Sequence, residues 1–184
     1  MSDITKQPIP TATSESHRLV LGPSLLDGLP GSEDWRAFTR HIKDPSCLAL
    51  TELWIEKVHA AGGIPLRNDF AFEEIAKWGS TLMLYKLDEN DRWLTTFAGG
   101  AVVEVLGFEP TGKYLEDYGA DNSLKFWLDN MQYITDAHMP LIESYNLEFV
   151  EKDYVRVSAV NLPLKTGTRD FPDSYFEILS FGAE

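Results

Sequence analysis

Cysteine is all but missing from this chain of 184 residues. Cys47 stands alone, so no intramolecular disulfide can form and nothing calls for an oxidising compartment. Long apolar runs are missing too, and no segment approaches the roughly 18 uninterrupted apolar residues of a membrane span. Basic residues are scarce: sixteen Lys and Arg stand against 29 Asp and Glu, a formal charge of −13. That balance argues against nucleic acid or an anionic membrane as partner, since both need a cationic footprint. Residues 1–13 are polar, with Pro8 and Pro10 and no apolar core of a secretory leader, so the expected location is the cytoplasm.

Chemical motifs are equally thin. His17, His41, His59 and His138 lie far apart, with no H-x-x-x-H or C-x-x-C spacing, so no metal site is expected. Gly99-Gly100 lacks the additional glycines and the lysine of a phosphate-cradling loop and reads as a turn. Glu73-Glu74 and Asp88-Glu89 fall on expected surface or in a loop. With no carboxylate singled out in an apolar pocket, no acid–base pair and no catalytic residue are expected.

What the chain does have is a core. Hydrophobic residues make up 43% and aromatics 12% of the sequence, enough for one domain with its own interior and extra segments at an end. Residues 1–31, rich in Ser, Thr, Pro and Gly, read as a flexible arm. Residues 32–62 read as a helical extension. Trp35, Phe38 and Ile42 recur at helical spacing, then Leu50, Leu53, Trp54, Val58 and Ala61 form a second stripe ending at Gly62-Gly63. From residue 63 on, strands are expected over 81–87 and 92–98, joined by the charged turn 88–91. A brief apolar helix (101–106) ends at Gly107, and a further turn follows at Pro110-Thr111-Gly112. Leu124, Trp127, Leu128, Met131 and Ile134 mark the clearest amphipathic helix, stopped by Pro140. Three strands with short links close the chain, over 141–150, 154–164 and 174–181, as an antiparallel meander.

Six motifs in order then carry a resemblance. They are Trp54, Pro65-Leu66-Arg67-Asn68-Asp69, Phe97-Ala98-Gly99-Gly100, Gly107, Thr111-Gly112 and Leu162-Pro163-Leu164. Over residues 48–181 the chain resembles a proteobacterial family of small, often free-standing PAS proteins. Gly100 stands where that family usually has Thr, and Thr96 where an Arg often precedes the turn. The Pro that usually follows the connector is replaced by Phe70-Ala71-Phe72. The resemblance implies an α/β (α+β) fold: a five-stranded antiparallel sheet in residues 63–184 with helices over one face, preceded by the extra N-terminal helices.

It also implies a sensory role without an output domain. The signal then leaves by protein–protein contact, with a homodimer or signalling partner engaged through Trp35, Phe38, Leu53 and Trp54, unless those helices cap the open sheet face. The expected ligand-binding residues are Phe97, Val102, Val105, Leu106, Trp127, Met131, Phe149 and Val157, lining the space between sheet and helices. The cofactor is left unnamed. Haem on His138 is weighed against a simple capping role at a helix end, and the absence of a cysteine in residues 100–106 argues against flavin photochemistry. Two rival readings are an isomerase-like enzyme on a helix-over-sheet fold, which needs a titratable residue of shifted pKa in a cavity, and a ligand-free adaptor.

Overall fold

The computed structural model describes residues 18–27, 32–118, 122–147 and 150–183. Its α+β architecture is one six-stranded, wholly antiparallel sheet with helices on both faces. The strands are β1 (Arg18–Leu21), β2 (Leu82–Leu87), β3 (Trp93–Ala98), β4 (Leu141–Leu147), β5 (Lys152–Leu164) and β6 (Ser174–Ala183), in the sheet order β1-β4-β5-β6-β2-β3. The expected count of five is one short. The sixth is β1, from within the segment read as an arm: Arg18 to Leu21 pair with Ser144 to Leu141 and cover the free edge of β4.

Among the described residues five α-helices flank the sheet: α1 (Ser32–Thr39), α2 (Pro45–Ala61), α3 (Phe72–Ile75), α4 (Gly100–Leu106) and α5 (Asn122–Ala137). Helix α2 starts where local chemistry dictates. Asp44 takes the backbone N–H of Ser46 and Cys47 at 2.8 and 3.0 Å, Pro45 sits in the first turn, and Gly62 closes the helix with φ 68°.

Alternation along the strands divides the interior in two. Leu82, Leu84, Ile142, Val160, Leu162, Phe176 and Ile178 face α1, α2 and α3. Met83, Tyr85, Leu141, Tyr145, Val157, Tyr175 and Leu179 face α4 and α5. The first face answers the question left open about the N-terminal helices. Trp35, Phe38 and Trp54 are buried in that core and Leu53 packs against it, with the Trp54 indole donating to the Pro163 carbonyl at 2.9 Å. Trp35, Phe38 and Trp54 therefore cap the sheet and are spent inside the molecule, while Leu53 stays half-buried. Cys47 is buried there too, and loss of solvent, reinforced by Asp44, pushes its thiol up to about 12.

No described helix is long and apolar enough to cross a membrane.

Candidate functional site

The second face holds a cavity. Its floor is made by inward residues of β2, β4, β5 and β6, and its roof by α4, by the turn carrying Leu115 and Tyr118, and by α5. Water centres can range over about 40 Å³ inside it, room for roughly three or four molecules.

The wall is mostly apolar, interrupted by two acids, two amides and the hydroxyl-bearing rings of Tyr85, Tyr118 and Tyr145. Glu177 on β6 pairs across the sheet with Asn161 on β5 and with Met83 on β2. Glu143 on β4 lies two residues from Leu141, the direct partner of Asn161. The strand register therefore brings both carboxyls and the amide to one patch of floor. Asn161 Nδ2 donates to Glu143 Oε1 at 2.7 Å, and the Tyr85 hydroxyl donates to Glu177 Oε2 at 2.7 Å. Asn130 hangs from α5 above them.

Hydrogen bonding in this patch is incomplete. Glu143 is 6% exposed and Asn130 only 3%, yet Glu143 Oε2 and both Asn130 side-chain atoms have no hydrogen-bond partner among the described residues. No Lys, Arg or His stands among the described residues that line the cavity. Burial raises the carboxyl pKa of Glu143, and the neighbouring Glu177 raises it further. The Asn161 and Asn130 amides pull it partway back. Burial likewise raises Glu177, against the pull of the Tyr85 hydroxyl. Two neighbouring carboxyls shielded from bulk water cannot both ionise cheaply, so the pair retains a proton well above the usual carboxylate range. Tyr85, pushed up by burial and by Glu177, stays neutral and able to donate.

The expected site residues fare unevenly. Val102, Leu106, Trp127 and Met131 stand on the cavity wall. Val105, one turn position off, packs beside the cluster, while its carbonyl accepts from Lys152 Nζ at 2.6 Å. Val157 is fully buried core on the same face, outside the lining. Phe149 lies outside the described residues.

Phe97 is 38% exposed and off the site, and a bulge explains it. Between Leu84 and Tyr85 the register of β3 slips: Tyr85 pairs with Thr95 but Leu84 with Phe97. Thr96 is the extra residue, its hydroxyl donating to the Leu84 carbonyl at 3.2 Å. Simple alternation puts Phe97 on the face of Trp93 and Thr95; the bulge turns it to the face of Leu84.

The expectation that no carboxylate sits in an apolar pocket is overturned by Glu143 and Glu177. Their signal was present in the sequence. Glu143 shares parity with Leu141, Tyr145 and Leu147, and Glu177 with Tyr175 and Leu179, all of which are inward residues. Asn130 likewise falls within the buried stripe of α5, between Trp127 and Ile134 at helical spacing. His138 ends α5 in the left-handed region (φ 50°), half-buried, and burial lowers its pKa; it is not among the cavity's described lining residues. Among the described residues, no cluster of three His, Cys, Asp or Glu is arranged to hold a metal ion.

No family model, curated protein or solved structure matches the chain.

Proposed function

We propose that this chain is a PAS-type sensory domain whose cavity takes up a small ligand and whose signal leaves through contact with another protein. The observation that carries this reading is the set of buried polar atoms on the cavity wall without a partner among the described residues. A buried polar group left unsatisfied costs about 1–3 kcal/mol, and a bound molecule of matching polarity removes that cost. The chain order supports the same reading: two strands, a helical block ending in the longest of its helices, then three strands, as the resemblance implies. A ligand acts on such a domain through its different affinity for two arrangements of the roof of α4 and α5 over the sheet.

Native mass spectrometry of the protein isolated from its own host tests this. The expected result is a folded species carrying one small molecule that is lost on denaturation. Folded protein at the bare chain mass contradicts the reading and favours a ligand-free adaptor.

One observation favours a second reading, an isomerase-like enzyme. Glu143 and Glu177 face one cavity with raised pKa values, so one carboxyl can donate a proton while the other accepts one. The small volume weighs against it, since a substrate must fit beside both groups. A copurified compound that the protein converts, with E143Q or E177Q slowing turnover by about 10²-fold or more, moves the assignment to the enzyme. Recovery of the compound unchanged keeps the sensor.

A further inference from the structure

The cavity wall specifies more than polarity. Its unpartnered atoms are two oxygens, Glu143 Oε2 and Asn130 Oδ1, and one N–H donor group, Asn130 Nδ2. Both acidic residues of the wall are at least nine-tenths buried, and the described lining supplies no positive charge to offset them. Uncompensated carboxylates in a low-dielectric space attract either a proton or a cation. The rest of the wall suits a cation. Trp127 and Tyr145 meet edge to face at 5.6 Å beside the acids, and the faces of such rings carry negative potential. Size sets the remaining limit: space for three or four waters admits a molecule of about four non-hydrogen atoms.

We propose that the cavity binds a small primary ammonium ion carrying a neighbouring hydroxyl, with the ammonium between Glu143, Glu177 and Asn130 Oδ1 and the hydroxyl accepting from Asn130 Nδ2. This rests on the ligand-binding reading above and names the chemistry of its ligand. A primary ammonium supplies three N–H donors, two for the oxygens that lack partners and one for the Glu177 carboxylate. A quaternary ammonium satisfies the rings but none of those oxygens. An anion meets two carboxyls, and a neutral alcohol of equal size leaves their charge uncompensated.

Binding also competes with the proton held by the pair, so affinity rises with pH until that proton is gone. The groups that set this balance are Asn161 on β5 and Asn130 on α5 beside Glu143, Tyr85 on β2 and Tyr118 from the roof turn beside Glu177, and Tyr145 on β4 beside both acids.

The test is an NMR titration of the full chain with ethanolamine, followed at the Trp127 indole, with 1-propanol, acetate and tetramethylammonium as controls. Saturable one-site shifts are expected with ethanolamine alone, with affinity that increases as pH is raised. A loss of about tenfold or more is expected in E143Q, the scale of one desolvated charge contact. N130L removes both orphaned groups without touching the acids; it is expected to fold, to keep a weakened response to the amine and to lose any preference for ethanolamine over ethylamine. Equal binding of tetramethylammonium, or E143Q binding as tightly as wild type, overturns the proposal. Failure of ethanolamine to bind while native mass spectrometry finds a neutral or anionic ligand overturns it and leaves the sensory reading standing; failure of both removes the two together.

Discussion

At the scale of single residues, the sharpest contrast lies between two adjacent glycines. A Cβ on Gly99 would sit 2.2 Å from the Ser80 carbonyl oxygen and 2.3 Å from that of Gly79, both rigid backbone atoms. A Cβ on Gly100 would meet nothing within 4 Å. Gly99 is thus a point of close approach, where its N–H donates to the Leu82 carbonyl at 2.9 Å and the following Ala101 N–H to Ser80 at 3.0 Å. G99A is expected to destabilise by about 1–3 kcal/mol through overpacking. G100A is expected to be neutral or stabilising by up to ~1 kcal/mol, since Ala is the better helix former. Urea denaturation of the two variants checks the pair.

The buried acids set a second expectation at this scale. Their folded-state pKa values lie above the ordinary glutamate value, so between the two the folded protein binds more protons than the unfolded chain. Their contribution is fully present below the unfolded value of about 4.3 and is lost as pH rises through the folded values. A tenfold difference in proton affinity between folded and unfolded chain is worth about 1.4 kcal/mol. Thermal unfolding across this range is expected to show Tm falling with pH in wild type and a flatter profile in E143Q. A wild-type profile that rises over the same range contradicts the assignment.

At the scale of elements, the N-terminal helices are part of the core. Trp54 is fully buried, holds its hydrogen bond to Pro163 and meets Trp35 edge to face at 5.6 Å. W54A is expected to cost about 3–5 kcal/mol, as large aromatic truncations in packed cores do, measurable by chemical denaturation. Removal of residues 1–44 takes away β1 as well as Trp35 and Phe38, and is expected to lower Tm and expose the edge of β4.

The elements themselves were legible wherever periodicity and stop signals agreed. Asp44-Pro45 and Gly62 bracket α2, Gly107 closes α4, and the stripe through Met131 and Ile134 marks α5. Three features escaped, each for a physical reason. β1 is four residues long and is defined by pairing with a strand more than a hundred residues away. The bulge at Thr96 is a property of strand pairing, and it inverted the expected side of Phe97. The acids were visible by parity, yet a glutamate in an alternating strand ordinarily marks the solvent face. Only the presence of helices on both faces makes its burial evident.

At the scale of the whole molecule, the sheet is shared by two unlike layers. On one face α1, α2 and α3 close an apolar core around Trp54 and Phe176. On the other α4 and α5 enclose the cavity with its two acids. The same strands serve both, since Ile178 faces one layer and its neighbours Glu177 and Leu179 the other. Glu177 thus lines the cavity from a strand that is also part of the opposite core.

Everything proposed for the cavity depends on its being shielded from bulk water and short of positive charge, so that Glu143 and Glu177 hold a proton between them. Carbon-13 NMR of the glutamate side-chain carboxyls over a pH titration measures this directly. Two resonances are predicted, removed one each by E143Q and E177Q, that titrate together and well above the other glutamates. If both instead titrate near the ordinary value of about 4.3, the cavity is open to bulk water and the case for a ligand there fails.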